Sequence, residues 1–493
     1  MKKVHLSMIN LWCNKNLVDS QLFLWKLLSE NPDWIEYYSD PYEKAVELVI
    51  LNTCSFISSG REEMFQTIEK LLLKKKKVCI IWCGVQYFEK LLKKNMSSFK
   101  KGGGFNEVED GGFLSAWCVK IPSHSVTAPF SKGAQKWDNS QLQQELQRWE
   151  KMLENENISY LSRNDLTLVN LQNLTKRSQT FADFCRYDAP RLLTNYENRY
   201  EYLKIAEWCN NSCAFCIIPQ IRWKLTSLSI KSVLAEAENL LKQWIEELII
   251  VAQDTMRYGT DFSSSSQLLP LLHKLDKLPY DFEYRILYLY PDILTLKQLE
   301  EFASLEKFIP YFDIPLQHIS PKLLKSMGRF YDDKMIHTLL KWIRKLFPAA
   351  FIRTNIIIWF PWETDEDMKL LQSFLDENYF DNIALFEYHD EPLAKSSSFS
   401  DKVPDDVVHS RFKTIRWQVD KLLKAREKRR KWKSQIGFVE WIYEKKGQIF
   451  LSIRPEINCP EIDPVDEVKL ENVIQCFDSD EIEIGSMVEY FLK

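Results

Sequence analysis

Glycine is scarce in this chain: 13 residues of 493, against 16 tryptophans. Globular proteins carry roughly 7% glycine, so this inversion is abnormal. No apolar run reaches the ~18 residues of a membrane span. The start, Met1-Lys2-Lys3-Val4-His5-Leu6, has two lysines but no apolar h-region. A secretory signal is therefore not expected, and the expected compartment is the cytoplasm. Positive charge is not in excess either. Lys and Arg number 65 and Asp and Glu 69, for a net charge of −4, so the chain as a whole is not a basic nucleic-acid binder. The seven His form no ligand pattern. A content of 45% hydrophobic and 27% charged residues excludes a disordered chain, a collagen and a coiled-coil rod. At about 150 residues per domain, three domains are expected.

Strand-like and helix-like runs alternate over residues 1–95. Val4–Ile9, Leu48–Leu51 and Val78–Ile81 read as buried strands, with helices over Asp19–Ser29 and Arg61–Leu73. This predicts a small parallel α/β domain. Residues 96–185 carry Gly102-Gly103-Gly104, Gly111-Gly112 and many polar residues. They read as a linker or insertion, partly flexible, with helix near Gln141–Glu154. From residue 190 to 430 the βα alternation resumes. Strands are expected at Tyr202–Ile205, Glu247–Val251, Tyr284–Leu289, Tyr311–Ile314, Phe351–Ile358 and Asn382–Glu387, with helices such as Ser232–Lys242 and Asp365–Asn378. Six such units predict an open or partial (βα)6 barrel, whose active site would lie at the carboxyl ends of the strands. Residues 411–433 hold 11 Lys and Arg against two acids at helical spacing. Over 434–493, Phe438–Tyr443, Gln448–Ile453, Glu467–Leu470 and Met487–Leu492 read as strands of a small β-barrel. The fold class is α/β, with that barrel appended.

Eleven Cys in a chain of this kind read as metal ligands, reactive thiols or small buried residues. The strongest pattern is Cys209-x3-Cys213-x2-Cys216, directly after the first strand of the second βα series. Three thiolates on one tight loop suit an iron–sulfur site. No fourth Cys or His lies close enough to complete a structural zinc site. A four-iron cluster held by three cysteines leaves one iron open. Cys13, Cys54 and Cys83 each fall just past an expected strand end, where three loops could converge. Cys79, Cys118, Cys185, Cys459 and Cys476 match no pattern.

The loop Cys209-Asn210-Asn211-Ser212-Cys213-Ala214-Phe215-Cys216-Ile217-Ile218-Pro219-Gln220-Ile221-Arg222 resembles the radical S-adenosylmethionine superfamily, and within it the methylthiotransferases. Cys13–Ser20, Ala252–Gly259, Leu287–Asp292 and Asp313–Ile319 are similar to the RimO-type branch, which modifies an aspartate of ribosomal protein uS12. The resemblance covers roughly 1–95 and 190–493. It implies two 4Fe–4S clusters: one on Cys209, Cys213 and Cys216 that binds S-adenosylmethionine, and one on Cys13, Cys54 and Cys83 that handles sulfur. It implies an N-terminal methylthiotransferase domain, a radical-SAM partial barrel and a TRAM-like C-terminal barrel. It implies hydrogen abstraction from the aspartate β-carbon by a 5′-deoxyadenosyl radical, then insertion of a methylthio group. Phe215 is a candidate to pack on the adenine, or a core aromatic. Gln253, Asp254 and Arg353, at or near strand ends, are candidates for S-adenosylmethionine contacts or for structural hydrogen bonding. No residue is assigned as catalytic. Expected partners are uS12, free or in the small subunit, and a reductant such as flavodoxin or ferredoxin. No membrane is expected, and any nucleic-acid contact is secondary. Residues 431–493 hold 7 basic and 13 acidic residues, which suits a basic protein better than RNA phosphate. Two other readings stay open: a tRNA adenosine methylthiotransferase, and an inactive iron–sulfur protein that binds ribosomes.

The resemblance also gives the tryptophans a pattern. Trp12, Trp82, Trp208, Trp223, Trp244, Trp359 and Trp362 stand where the family has glycine. Glycine serves such turns because it tolerates φ > 0 and close backbone approach. In lineages that read UGA as glycine, translation with a table that reads UGA as tryptophan would produce this substitution. The rival is a genuine pseudoenzyme with blocked loops.

Overall fold

The computed structural model describes residues 3–11, 14–30, 32–33, 35–54, 58–84, 86–88, 90–91, 140–153, 155, 157–161, 191, 193, 199–221, 224–403, 405–478 and 481–492. The N-terminal part is a five-stranded parallel sheet. Its strands are β1 (Val4–Asn10), β2 (Ile35–Tyr37), β3 (Leu48–Thr53), β4 (Lys77–Trp82) and β5 (Ile158–Leu161), in the order β2-β1-β3-β4-β5. Helices α1 (Asn14–Glu30) and α2 (Ser58–Leu73) connect the first strands. Continuous apolar strands such as Val49-Ile50-Leu51 are buried completely, as parallel strands covered on both faces require.

The stretch 96–185 is more than a connection. Its helix α3 (Ser140–Leu153) packs Leu146, Trp149 and Met152 into the N-terminal core. Trp149 stacks on Phe88 with ring centroids 4.5 Å apart. Strand β5 from the same stretch then pairs parallel with β4. The rest of 96–185 lies outside the described residues.

The second part is a six-stranded parallel sheet of β6 (Tyr200–Lys204), β9 (Glu247–Val251), β10 (Glu283–Ile286), β11 (Phe308–Gln317), β12 (Phe351–Ile358) and β13 (Asn382–Glu387). The order β13-β12-β11-β10-β9-β6 leaves β6 and β13 as its edges. Between β6 and β9 a two-stranded ribbon forms from β7 (Ala206–Glu207) and β8 (Thr226–Ser227). This is the expected open barrel. Its outer helices are amphipathic: α5 (Ile230–Leu241), after the single turn α4 (Ile218–Ile221), buries Val233, Ala237, Leu240 and Leu241. A long basic helix over Asp405–Arg430 leads to an antiparallel sheet of β14 (Ser434–Lys445), β15 (Gln448–Pro455), β16 (Asp466–Lys469), β17 (Val473–Cys476) and β18 (Met487–Phe491). Short β17, with half-exposed Ile474 and Gln475, has too little apolar alternation to be read from sequence.

Two contacts close the barrel from opposite ends. The loop after β15 reaches the amino ends of the strands, where Arg285 donates to the Ile457 and Glu456 carbonyls at 2.8 and 2.9 Å. From the N-terminal part, Val18 and Leu22 of α1 join Tyr202, Ile249, Val251 and Leu287 in one apolar cluster. Beside it the buried Lys204 ammonium meets Asp19 and, at 2.8 Å, Glu207.

Backbone geometry bears on the tryptophans. Among the described residues, 12 other than glycine have positive φ, and five of them are tryptophan: Trp208, Trp244, Trp359, Trp362 and Trp432. Branched or bulky residues rarely take this conformation. Trp82 differs: it ends β4 in extended backbone, so a need for positive φ does not explain it. Trp12 and Trp223 lie outside the described residues.

Candidate iron–sulfur site

Strand β6 ends at Lys204, and the chain passes through β7 to Trp208, whose φ of 64° turns it into the cysteine loop. The loop is cross-braced by its own polar groups. Cys216 N–H donates to the Cys213 carbonyl at 3.1 Å. Asn210 Oδ1 accepts from Leu225 N–H at 2.9 Å. Asn211 N–H donates to Cys209 Sγ at 3.3 Å, and its side-chain amide reaches Asp254 at 2.6 Å. Ala214 N–H donates to the Met327 carbonyl at 2.9 Å.

Gly328 makes that last contact possible. Its φ is +75°, and a Cβ there would sit 2.7 Å from the Ser212 carbonyl oxygen. Neither the strain nor the overlap with backbone can be relieved by a side-chain rotation. Gly328→Ala is expected to cost at least about 1–2 kcal/mol and to lower iron retention by the loop. Thermal unfolding and an iron assay on the same preparation check this.

Two of the thiols are shifted by their surroundings. Burial, then the neighbouring Cys213, pushes Cys216 up to about 12. Burial does the same to Cys209, up to about 11 despite the Asn211 N–H. A metal reverses this by supplying positive charge and deprotonating the thiols. Among the described residues no group of three or more His, Cys, Asp or Glu is already set to hold a metal ion. The donor set still fits a cluster. Three thiols share one loop, a buried cation stands beside them, and apolar residues such as Ile217 wall them.

Of the other expected site residues, Phe215 lies between two of the cysteines and packs with Ala214, Leu323, Met327 and Phe360. Gln253 and Asp254 follow the carboxyl end of β9. Asp254 is raised to about 6 by burial, against the Asn211 and Arg257 contacts that hold it down. The Gln253 side-chain oxygen is buried without a hydrogen-bond partner among the described residues. Arg353 requires a correction. It is the third residue of β12, not near its carboxyl end, and its guanidinium is paired with Asp313 at 2.8 Å. Inward-facing positions in a barrel alternate along the whole strand, so a polar residue in an apolar run need not mark the strand end.

The second triad is described in part. Register sets Thr53 beside Trp82 and Asn52 beside Asn10, so Cys54 and Cys83 leave adjacent strands at one level. Thr53 ties them: its hydroxyl donates to the Ile81 carbonyl and accepts from Gly84 N–H, both at 2.9 Å. Cys13 lies outside the described residues, between the end of β1 and the start of α1. The first turn of α1 points to the other site, for Lys15 Nζ sits 3.8 Å from the Tyr288 ring centre. Two residues on, Tyr290 Oη is 4.0 Å from Cys213 Sγ.

Sequence reasoning missed Arg329, Tyr290 and Tyr331, which line the thiol loop. Arg329 stands over the Tyr290 ring at 4.3 Å and the Phe215 ring at 5.6 Å. Only the fold brings the loop after β11 against the loop after β6.

Comparison with known proteins agrees with this layout. A model of the radical SAM superfamily matches residues 203–375, and one of the uncharacterized protein family UPF0004 matches 5–100. The chain is 31% identical over 476 residues to the ribosomal protein uS12 methylthiotransferase RimO of Chlamydia pneumoniae, covering 95% of this chain and 88% of that one. It is 29% identical to the enzyme of the same name from Pseudothermotoga lettingae, over 98% of this chain and 97% of the relative. The Aquifex aeolicus enzyme is also 29% identical, with 99% and 96% covered.

Proposed function

This chain belongs to the ribosomal protein uS12 methylthiotransferase family, and from that premise we propose that it places a methylthio group on the β-carbon of an aspartate of uS12. The observation that carries the reading is the thiol loop: Cys209, Cys213 and Cys216 at the carboxyl end of the first strand of a six-stranded parallel sheet. Ligand sites of such sheets form at that end.

In this reading those three thiols hold one 4Fe–4S cluster, and Cys13, Cys54 and Cys83 hold a second. With S-adenosylmethionine and an electron, the bound groups supply a carbon-centred radical and a sulfur source. The chain's residues supply the enclosure. Asp254, fixed by Asn211 and Arg257, and the unpartnered Gln253 carbonyl present acceptors to a bound amino group. Phe215 offers an aromatic face to the adenine. Val18 and Leu22 of α1 fill the barrel beside the site and keep bulk water out. Lys15, over the Tyr288 ring, and Asp19, on the Lys204 ammonium, hold α1 against the barrel. A flavodoxin or ferredoxin would deliver electrons. Among the described residues no helix is long and apolar enough to cross a membrane.

The test incubates the anaerobically reconstituted chain with S-adenosylmethionine, a reductant and either uS12 or tRNA. Mass spectrometry should find uS12 heavier by one sulfur and one methylene, located on aspartate. Methylthio-adenosine in the tRNA instead would overturn the choice of substrate. No product with either, and no cleavage of S-adenosylmethionine, would point to an inactive iron–sulfur protein.

A further inference from the structure

We propose that Arg329 is a positioning residue for the three-thiol site, placing a buried positive charge against the thiolate-bound iron–sulfur group and raising its reduction potential. The inference rests on the cluster reading given above.

Arg329 is 6% exposed, and its Nε and Nη1 have no hydrogen-bond partner among the described residues. Tyr331 answers only part of the guanidinium, and buried donors of a charged group left unsatisfied are unfavourable, so these two nitrogens point to an anion in the space they face. Its position is not adjustable. Gly328 is pressed against the Ser212 carbonyl, and Arg329 N–H donates to the Leu324 carbonyl at 2.8 Å. The side chain then runs between the Phe215 and Tyr290 rings.

The neighbouring acids Asp254 and Asp292 feel the Arg329 charge but are paired elsewhere. Arg257 takes Asp254 at 3.1 Å and Asp292 at 2.6 Å, and Asn211 also takes Asp254. What Arg329 meets at close quarters is the phenols of Tyr331 and Tyr290 and the thiols of Cys213 and Cys216. Those four groups are the electrostatic neighbours of the guanidinium. Hydrogen bonds and charge around cluster sulfurs set the potential of an iron–sulfur site. A fixed cation favours the more negative, reduced form.

The experiment compares the full chain with Arg329→Gln and Arg329→Lys after anaerobic reconstitution. Iron and sulfide are counted, and the clusters are titrated by electron paramagnetic resonance with and without S-adenosylmethionine. The relevant signal is the one absent from a Cys213→Ser control. Expected is full iron in Arg329→Gln, with the reduced-to-oxidised ratio at a fixed potential about tenfold lower, a shift of about 59 mV for one electron. Arg329→Lys, which keeps the charge, should stay within about threefold of the parent. If Arg329→Gln holds no iron, full iron in Arg329→Lys still supports a charge role, and none in either overturns it in favour of packing. The inference also falls if Arg329→Gln titrates like the parent while S-adenosylmethionine binding weakens tenfold, because the guanidinium then serves the carboxylate of that ligand. A parent chain with no Cys213-dependent signal would sink the cluster reading itself, a result separate from all of these.

Discussion

Trp244→Gly is expected to stabilise this chain by about 1–2 kcal/mol, the cost of a left-handed conformation for a residue with a side chain. Trp244 has φ 67° and is 89% exposed, so its ring gives little packing to set against the strain. It follows α5 at the position where glycine ends helices. Trp208 and Trp359 make the sharper test, because they are buried. If those rings are true core residues, removing them should cost about 3–5 kcal/mol, more than the strain relieved. If UGA codons were meant as glycine, removal should gain. We expect the gain. Glycine at Trp208, Trp244, Trp359 and Trp362 together should raise stability by several kcal/mol, a large part of a typical total of 5–15. Trp362 should give least, since its ring stacks on Phe399 at 4.6 Å and its indole donates to Asp401. Thermal unfolding of the single and combined variants measures this. A fall in stability on replacing Trp208 or Trp359, or UGG codons there, would leave tryptophan as the genuine residue. Trp432, with φ 62° just past the long basic helix, joins the set on backbone geometry alone.

Cys213→Ser, or the same change at Cys209 or Cys216, should abolish cleavage of S-adenosylmethionine. The loss should be complete, not partial. No side chain replaces the low-potential electron that a cluster delivers, and serine is a poor ligand for a metal that selects soft thiolate. Iron should fall by about four per chain from about eight, one 4Fe–4S cluster of two. Cys54→Ser and Cys83→Ser should lose a similar amount of iron yet still cleave S-adenosylmethionine, with transfer of the methylthio group lost. Iron and sulfide analysis, with chromatography of 5′-deoxyadenosine and of the modified uS12, separates the two groups. Equal loss of cleavage in both would mean that the triads form a single functional unit. Unchanged iron in all of them would remove the cluster reading.

Much of the fold was readable because its signals are local. Glu247–Val251 and Asn382–Glu387 are short apolar runs bounded by polar turns, and their expected limits match the strands formed. The spacing of Cys209, Cys213 and Cys216 lies within eight residues and needs no tertiary information. Elements whose stability comes from distant partners were not readable. Ile158–Leu161 is only four residues long and is a strand because β4 offers an open edge. Helix α3 was expected near Gln141–Glu154, but its docking was not readable, because the place of Trp149 is set by Phe88.

The sequence by itself determined the class of the protein: a parallel α/β chain with two cysteine groups and an appended β-domain. Hydrophobic periodicity and thiol spacing are properties of adjacent residues. Tertiary structure alone decided the surroundings of the chemistry. It set Arg329 among the thiols, Arg353 inside the barrel on Asp313, and α1 against β6. Those contacts join residues up to nearly two hundred positions apart, as between Gln21 and Glu201. It also decided which tryptophans are strained, because φ is set by the turn that the whole fold demands and not by the residue that occupies it.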